Sequence, residues 1–154
     1  MNHWLLKSEP AAFSIDDLAA LPKRTCAWDG VRNYQARNML RDSIRKGDSA
    51  FFYHSSCDVP GIAGIVNVVK SGYPDATAFD AKHAHYDAES RASEPRWYVV
   101  DVKLERKFRR IITLDALRKH AGDELAELLV LRRGNRLSVM PVTKKDWDFI
   151  LTME

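Results

Sequence analysis

The alternation of apolar and polar positions begins with His3-Trp4-Leu5-Leu6-Lys7, a short run closed by Glu9-Pro10, which predicts a strand entering a turn. Ser14 with Asp17 three residues on has the form of a helix capping box, with Phe13, Leu18 and Leu21 available for packing and Pro22 ending the helix. Residues 25–28 form a brief strand, and Asp29-Gly30 is a turn signal. From Asn33 the apolar positions Ala36, Met39, Leu40 and Ile44 fall on one helical stripe, stopped by Gly47. Residues 49–54 and 62–69, aromatic or β-branched and separated by Asp58-Val59-Pro60-Gly61, are the clearest strands.

Residues 71–95 break the pattern. Gly, Pro, Asp, His and Ser predominate, so a long irregular insertion is expected, folded back on the body by Tyr73, Phe79 and Tyr86. Alternation resumes over 96–104, and 108–112 is expected to return antiparallel. Two short helices follow at 114–121 and 123–131, then a strand at 136–140 and a helix capped by Thr143 and Asp146 that packs Trp147, Ile150 and Leu151. With no internal repeat and no linker, the expectation is one α+β domain over residues 1–154. Its short strands and few helices fit a small barrel.

Composition narrows the class without naming a function. The 154 residues are 45% hydrophobic and 29% charged, as in a soluble domain, and no apolar run approaches a membrane span. Cys26 and Cys57 stand in no metal-binding spacing, and no secretory pattern precedes them; reduced thiols and a cytoplasmic location are expected. The net charge of +3 is unevenly placed. Residues 1–100 are neutral, whereas 101–154 carry all of it, with Lys103, Arg106, Lys107, Arg109 and Arg110 in one octet against only Glu105. Such a run is either a solvated rim or a local grip on phosphates.

Motifs for nucleotide-phosphate loops, dinucleotide binding, zinc proteases and nucleophile elbows are missing. His83, His85 and Asp87 alternate, but a structural metal site needs more ligands, and a solvated loop explains them better. Ser8 beside Lys7 and Ser55 beside His54 form no relay, because neighbours on a strand point to opposite faces. The aromatics Trp28, Tyr34, Tyr53 and Trp97 lie at element ends beside Asn33, Ser55 or Arg96. Taken singly, each is explained by core packing; converging, they would make a slot for a flat heterocycle.

Five stretches then speak together: Trp4-Leu5-Leu6-Lys7-Ser8-Glu9-Pro10, Trp28-Asp29-Gly30-Val31-Arg32-Asn33-Tyr34-Gln35-Ala36-Arg37-Asn38, Phe51-Phe52-Tyr53-His54-Ser55, Pro60-Gly61-Ile62-Ala63-Gly64-Ile65 and Arg136-Leu137-Ser138-Val139. In this order, over almost the full chain, they closely resemble the EVE-domain family. The resemblance implies a PUA-like fold, a small mixed β-barrel flanked by short helices and related to the YTH and SRA modules. It also implies a binding module for a modified nucleobase, a modified cytosine or similar, in DNA or RNA. No catalytic activity, cofactor or metal comes with it.

Carried over by the resemblance, Trp28 is a wall of the base pocket, Asn33 an edge-reading group near its opening and Ser8 a polar contact. Tyr53, His54 and Ser55 end a strand facing the pocket, Pro60, Gly61 and Ile62 form its lip, Trp97 is a second wall, and Ser138 belongs to the late motif. The aromatic cage of YTH modules is not matched in full, so adenine specificity is not transferred. The expected partner is modified DNA or RNA and no membrane, with the protein a monomer. Two other readings remain open: an enzyme or sensor for a free nucleoside or other small molecule in the same slot, and a protein-interaction module docking through 71–95.

Overall fold

Short alternating runs place most of the strands. In the computed structural model, which describes residues 1–154, they are β1 (His3–Ser8), β2 (Thr25–Ala27), β3 (Ser49–His54), β4 (Gly61–Pro74), β5 (Tyr98–Thr113) and β6 (Val139–Val142). The helices are α1 (Ile15–Ala20), α2 (Tyr34–Asn38), α3 (Leu114–Arg118) and α4 (Lys144–Leu151). All six strands join one mixed sheet in the order β2-β5-β4-β3-β1-β6, in which only β1 and β3 run parallel. The fold is therefore mixed α+β, as expected. The sheet does not close into a barrel, because β2 and β6 end it as unpaired edges.

The sheet is buried on both faces. Successive side chains alternate, so Trp4, Leu6, Ala50 and Phe52 enter one core, while Leu5, Phe51 and Tyr53 enter the other. The first core lies inside the curl of the sheet with Ile15 and Leu18 of α1 and with Ala36, Leu40 and Ile44. The second packs against Leu117 of α3, Leu125, Leu128 and α4, where Trp147 stacks on Phe51 at 3.9 Å and 18°. No helix is long and apolar enough to cross a membrane.

Four elements differ from expectation. Residues 96–104 and 108–112 do not form a hairpin; from Tyr98 on both belong to β5, which continues through the charged stretch. Ladder hydrogen bonds need only backbone, and Ile65 pairs with Arg106 while Val66 pairs with Leu104, leaving Glu105 as a bulge residue. That extra residue turns Leu104 toward the first core and Phe108 toward the second. The helix from Tyr34 loosens into a π turn at Met39–Ser43, and the helix expected over 123–131 is a series of turns ending in a 3-10 turn, Leu129–Leu131. Strand β6 begins later than expected, at Val139, and carries Pro141, which an edge strand tolerates.

Candidate functional site

The end of β2 makes a rigid corner. The Trp28 N–H donates to the Val100 carbonyl at 2.8 Å, extending the pairing with β5, and Gly30 then turns at φ +80°. A Cβ on Gly30 would lie 2.5 Å from Cε1 of His85, and the positive φ itself favours glycine here. Asp75, buried in the insertion, accepts from the Gly30 N–H at 3.0 Å, Arg32 Nη1 at 3.0 Å, the Thr77 N–H at 2.9 Å and Thr77 Oγ1 at 2.6 Å. Burial pushes the Asp75 carboxyl up, but these bonds together outweigh it and hold the group below the usual carboxylate range. Arg32 also donates through Nη2 to the His85 carbonyl at 2.7 Å. The insertion is thereby stitched to the Trp28 corner.

Beside this corner lies a cavity of about 730 Å³. Trp28 forms one wall, its indole held edge-to-face by Phe52 at 5.3 Å and by Phe13 at 6.4 Å. Phe13 is placed by the capping box of Ser14 and Asp17 and by Ser8, whose Oγ donates to the Phe13 carbonyl at 2.6 Å. Ser8, from β1, and Ser138, just before β6, close the far side, while Leu21, Cys26, Asp29 and His85 complete the rim. In a flat sheet β2 and β1, separated by three strands, would stand about 19 Å apart. Strong curling brings both to one cavity.

Asp29 and His85 face each other at the rim. Burial, and then the neighbouring Asp75, pushes the Asp29 carboxyl up, whereas His85 at 3.9 Å opposes the rise. His85 Nδ1 is buried with no hydrogen-bond partner. Burial, and then Asp29 and Asp101, take the Cys26 thiol up to about 12, which keeps it protonated. Lys7 contributes to the lining, but its Nζ lies 5.9 Å from the centre of the Tyr53 ring, on the opposite face.

Of the pocket residues expected from sequence, Ser8, Trp28 and Ser138 line this cavity and the others do not. Asn33 caps α2, its side-chain oxygen accepting from the Ala36 N–H at 3.0 Å. Tyr34 and Trp97 stack on each other outside the cavity at 4.9 Å, flanked by Arg37 and Arg32. Trp97 Nε1 donates to Asp87 at 2.6 Å, pinning the insertion, and His83 Nδ1 accepts from the His85 N–H at 3.0 Å. Tyr53 points into the second core, where burial raises its phenol to about 12.

His54 shares the face of Phe52, but its Nε2 accepts from the Ile15 N–H at 3.1 Å; Ser55 donates its N–H to the Ser8 carbonyl at 2.9 Å. Pro60 is tied through its carbonyl to Leu114, Gly61 lies hard against the Ile112 carbonyl, and Ile62 belongs to the second core. Among the basic residues of β5, Arg106 pairs with Glu154 and Lys107 with Asp16, while Lys103, Arg109 and Arg110 are exposed and have no acidic partner within reach.

A family model for the EVE domain matches residues 2–153. The chain belongs to the EVE-domain family. Its sequence is 45% identical to human thymocyte nuclear protein 1 over 99% of this chain and 74% of that protein, and 47% identical to the Gallus gallus protein of the same name over 99% and 68%. The fold superposes on a crystal structure of the human THYN1 protein in complex with 5-methylcytosine-containing DNA, with a TM-score of 0.93, 45% identity and coverage of 99% and 97%. A Pseudomonas putida protein gives a TM-score of 0.92 at 46% identity, with 98% of each chain covered.

These names correct the expected cytoplasmic location, since the vertebrate relatives are nuclear by name. The thiols never distinguished the two compartments, because both are reducing. In this EVE domain the cavity residues missed by sequence reading include Phe13, Leu21, Cys26, Asp29 and His85. Asp29 and Cys26 flank Trp28 at the corner and were legible there; His85 arrives only through the fold of the insertion.

Proposed function

We propose that this EVE domain is a non-enzymatic reader of 5-methylcytosine in DNA, which takes the base into the cavity beside Trp28. The carrying observation is that cavity: an aromatic wall and convergent polar groups, in a chain 45% identical over its length to a protein whose structure contains 5-methylcytosine DNA. Its volume lies within the range that small-molecule sites use. The Trp28 indole supplies a stacking face, with Asp29 replacing Asn33 as the edge-reading group. A carboxylate accepts from the exocyclic amine of cytosine, which thymine, sharing the methyl group, lacks. Ser8 and Ser138 complete the polar lining. Stacking worth about 1–3 kcal/mol, with edge hydrogen bonds, offsets a flipping cost of a few kcal/mol.

Lys103, Arg109 and Arg110, exposed and free of acid partners, are the β5 residues available for phosphates, ahead of Arg106 and Lys107. The test is titration with oligonucleotides matched except at one base, carrying 5-methylcytosine, cytosine, 5-hydroxymethylcytosine or thymine, in DNA and in RNA, followed by tryptophan fluorescence. Preference for 5-methylcytosine DNA, lost in Trp28→Ala, is expected. Equal binding of all bases, or unchanged binding by Trp28→Ala, refutes the reading. Competition by free nucleoside as strong as by oligonucleotide would instead indicate a small-molecule sensor.

A further inference from the structure

Between α1 and β2 the chain makes a corner at residues 21–24 that the pocket itself does not require. Leu21 borders the cavity, yet is 36% exposed. Pro22 follows, and then Lys23 at φ +56° and Arg24 at φ +51° adopt the left-handed conformation in succession. That region is unfavourable for side chains with a Cβ, and Ser56 is the one other non-glycine residue in it. The corner is over-determined locally: the Arg24 N–H donates to the Leu21 carbonyl at 2.9 Å, and Thr25 Oγ1 to the Lys23 carbonyl at 2.9 Å. Both cationic side chains are exposed and form no ion pair, and Lys103 stands directly across from Thr25 in the ladder.

We propose that this corner enters a DNA duplex at the flipped base, Leu21 occupying the vacated place in the stack while Lys23, Arg24 and Lys103 hold the flanking phosphates. The proposal rests on the base-reader reading above and adds the form of the partner, duplex rather than single-stranded DNA. Apolar side chains inserted between base steps are an established way of holding a deformed duplex. Held strain of this kind marks positions where surrounding structure enforces a functional geometry.

The experiment compares a duplex and a single strand, each with one 5-methylcytosine, over a salt series. Leu21→Ala is expected to weaken duplex binding by about tenfold, in the range that loss of one stacking contact produces, and to weaken single-strand binding distinctly less, since there it loses only its contact at the cavity rim. Replacing Lys23, Arg24 and Lys103 together by Gln is expected to reduce the slope of log affinity against log salt on the duplex by about 2–3. Lys23→Gly with Arg24→Gly should raise the melting temperature while weakening duplex binding. Equal effects of Leu21→Ala on both DNA forms, no effect on either, or an unchanged salt slope overturns the proposal. If the single strand is read with base preference while these variants leave the duplex untouched, the corner alone is refuted; absence of base preference in both forms refutes the reader itself.

Discussion

Trp28 and Trp147 are buried to the same extent, each 6% exposed, but they lie on opposite faces of the sheet. Trp147, carried by α4, stacks on Phe51, meets the His3 ring at 4.5 Å and shares the second core with Leu117 and Leu125. Trp28 meets Phe52 and Phe13 edge-on and borders a cavity. Equal burial therefore does not mean equal work. One indole completes a sealed core, whereas the other is braced on two phenyl rings beside an open space. A braced ring beside a cavity is what a stacking surface for a flat ligand requires, since little further ordering is then needed on binding.

The difference can be broken by substitution. The largest expected effect is Trp147→Ala, which should lower stability by about 3–5 kcal/mol in urea unfolding, the usual cost of deleting an enclosed aromatic side chain. Trp28→Ala should lose distinctly less, because part of its surroundings is already open. Equal losses would erase the distinction. Next comes Asp75→Asn, which unpairs Arg32 and weakens the tie between corner and insertion, with an expected loss of about 2–3 kcal/mol. Asp75 also sharpens the comparison through pH. Its folded-state carboxyl is held below its ordinary value, so its stabilisation is present above the unfolded carboxylate pKa and is lost as pH falls through the folded one. Acid unfolding of wild type should show this decline below about pH 4, and Asp75→Asn should lack that component.

On the ligand side, Trp28→Ala should cost about 1–3 kcal/mol of binding to 5-methylcytosine DNA by fluorescence or anisotropy titration, while a folded Trp147→Phe variant should keep wild-type base preference. Asp29→Asn should narrow or reverse the preference for 5-methylcytosine over thymine by about 1–3 kcal/mol, since an amide can donate to the thymine carbonyl. An unchanged ratio would remove Asp29 from recognition. The smallest effect belongs to Lys107→Gln, whose half-exposed pair with Asp16 should contribute at most about 1 kcal/mol of stability.

Much of the fold was legible because local rules are strong. Residues 49–54 match β3 at both ends, and Ser14 and Thr143 cap α1 and α4 as their spacing predicts. The continuity of β5 was hidden because the ladder ignores side-chain polarity and a bulge at Glu105 changes the exposed face. For the site, Trp28 and Ser8 were readable from their motifs. Asn33 lies outside the cavity: a polar residue beside an aromatic one has the same signature whether it reads a ligand or caps a helix, and here its oxygen accepts from the Ala36 N–H.

By itself the sequence determined the class of fold, most strand positions, the helix caps and the family, since each depends on residues near one another in the chain or on long ordered blocks of wording. Only the tertiary structure decided which side of the sheet holds the cavity. A period of two says that Phe52 and His54 share one face and Tyr53 the other, but where both faces are buried it does not say which is open. Curling of the sheet brought Ser8, Trp28 and Ser138 together and left Trp97 and Tyr34 outside. That curvature arises from pairing and bulges across distant strands, which no local pattern records.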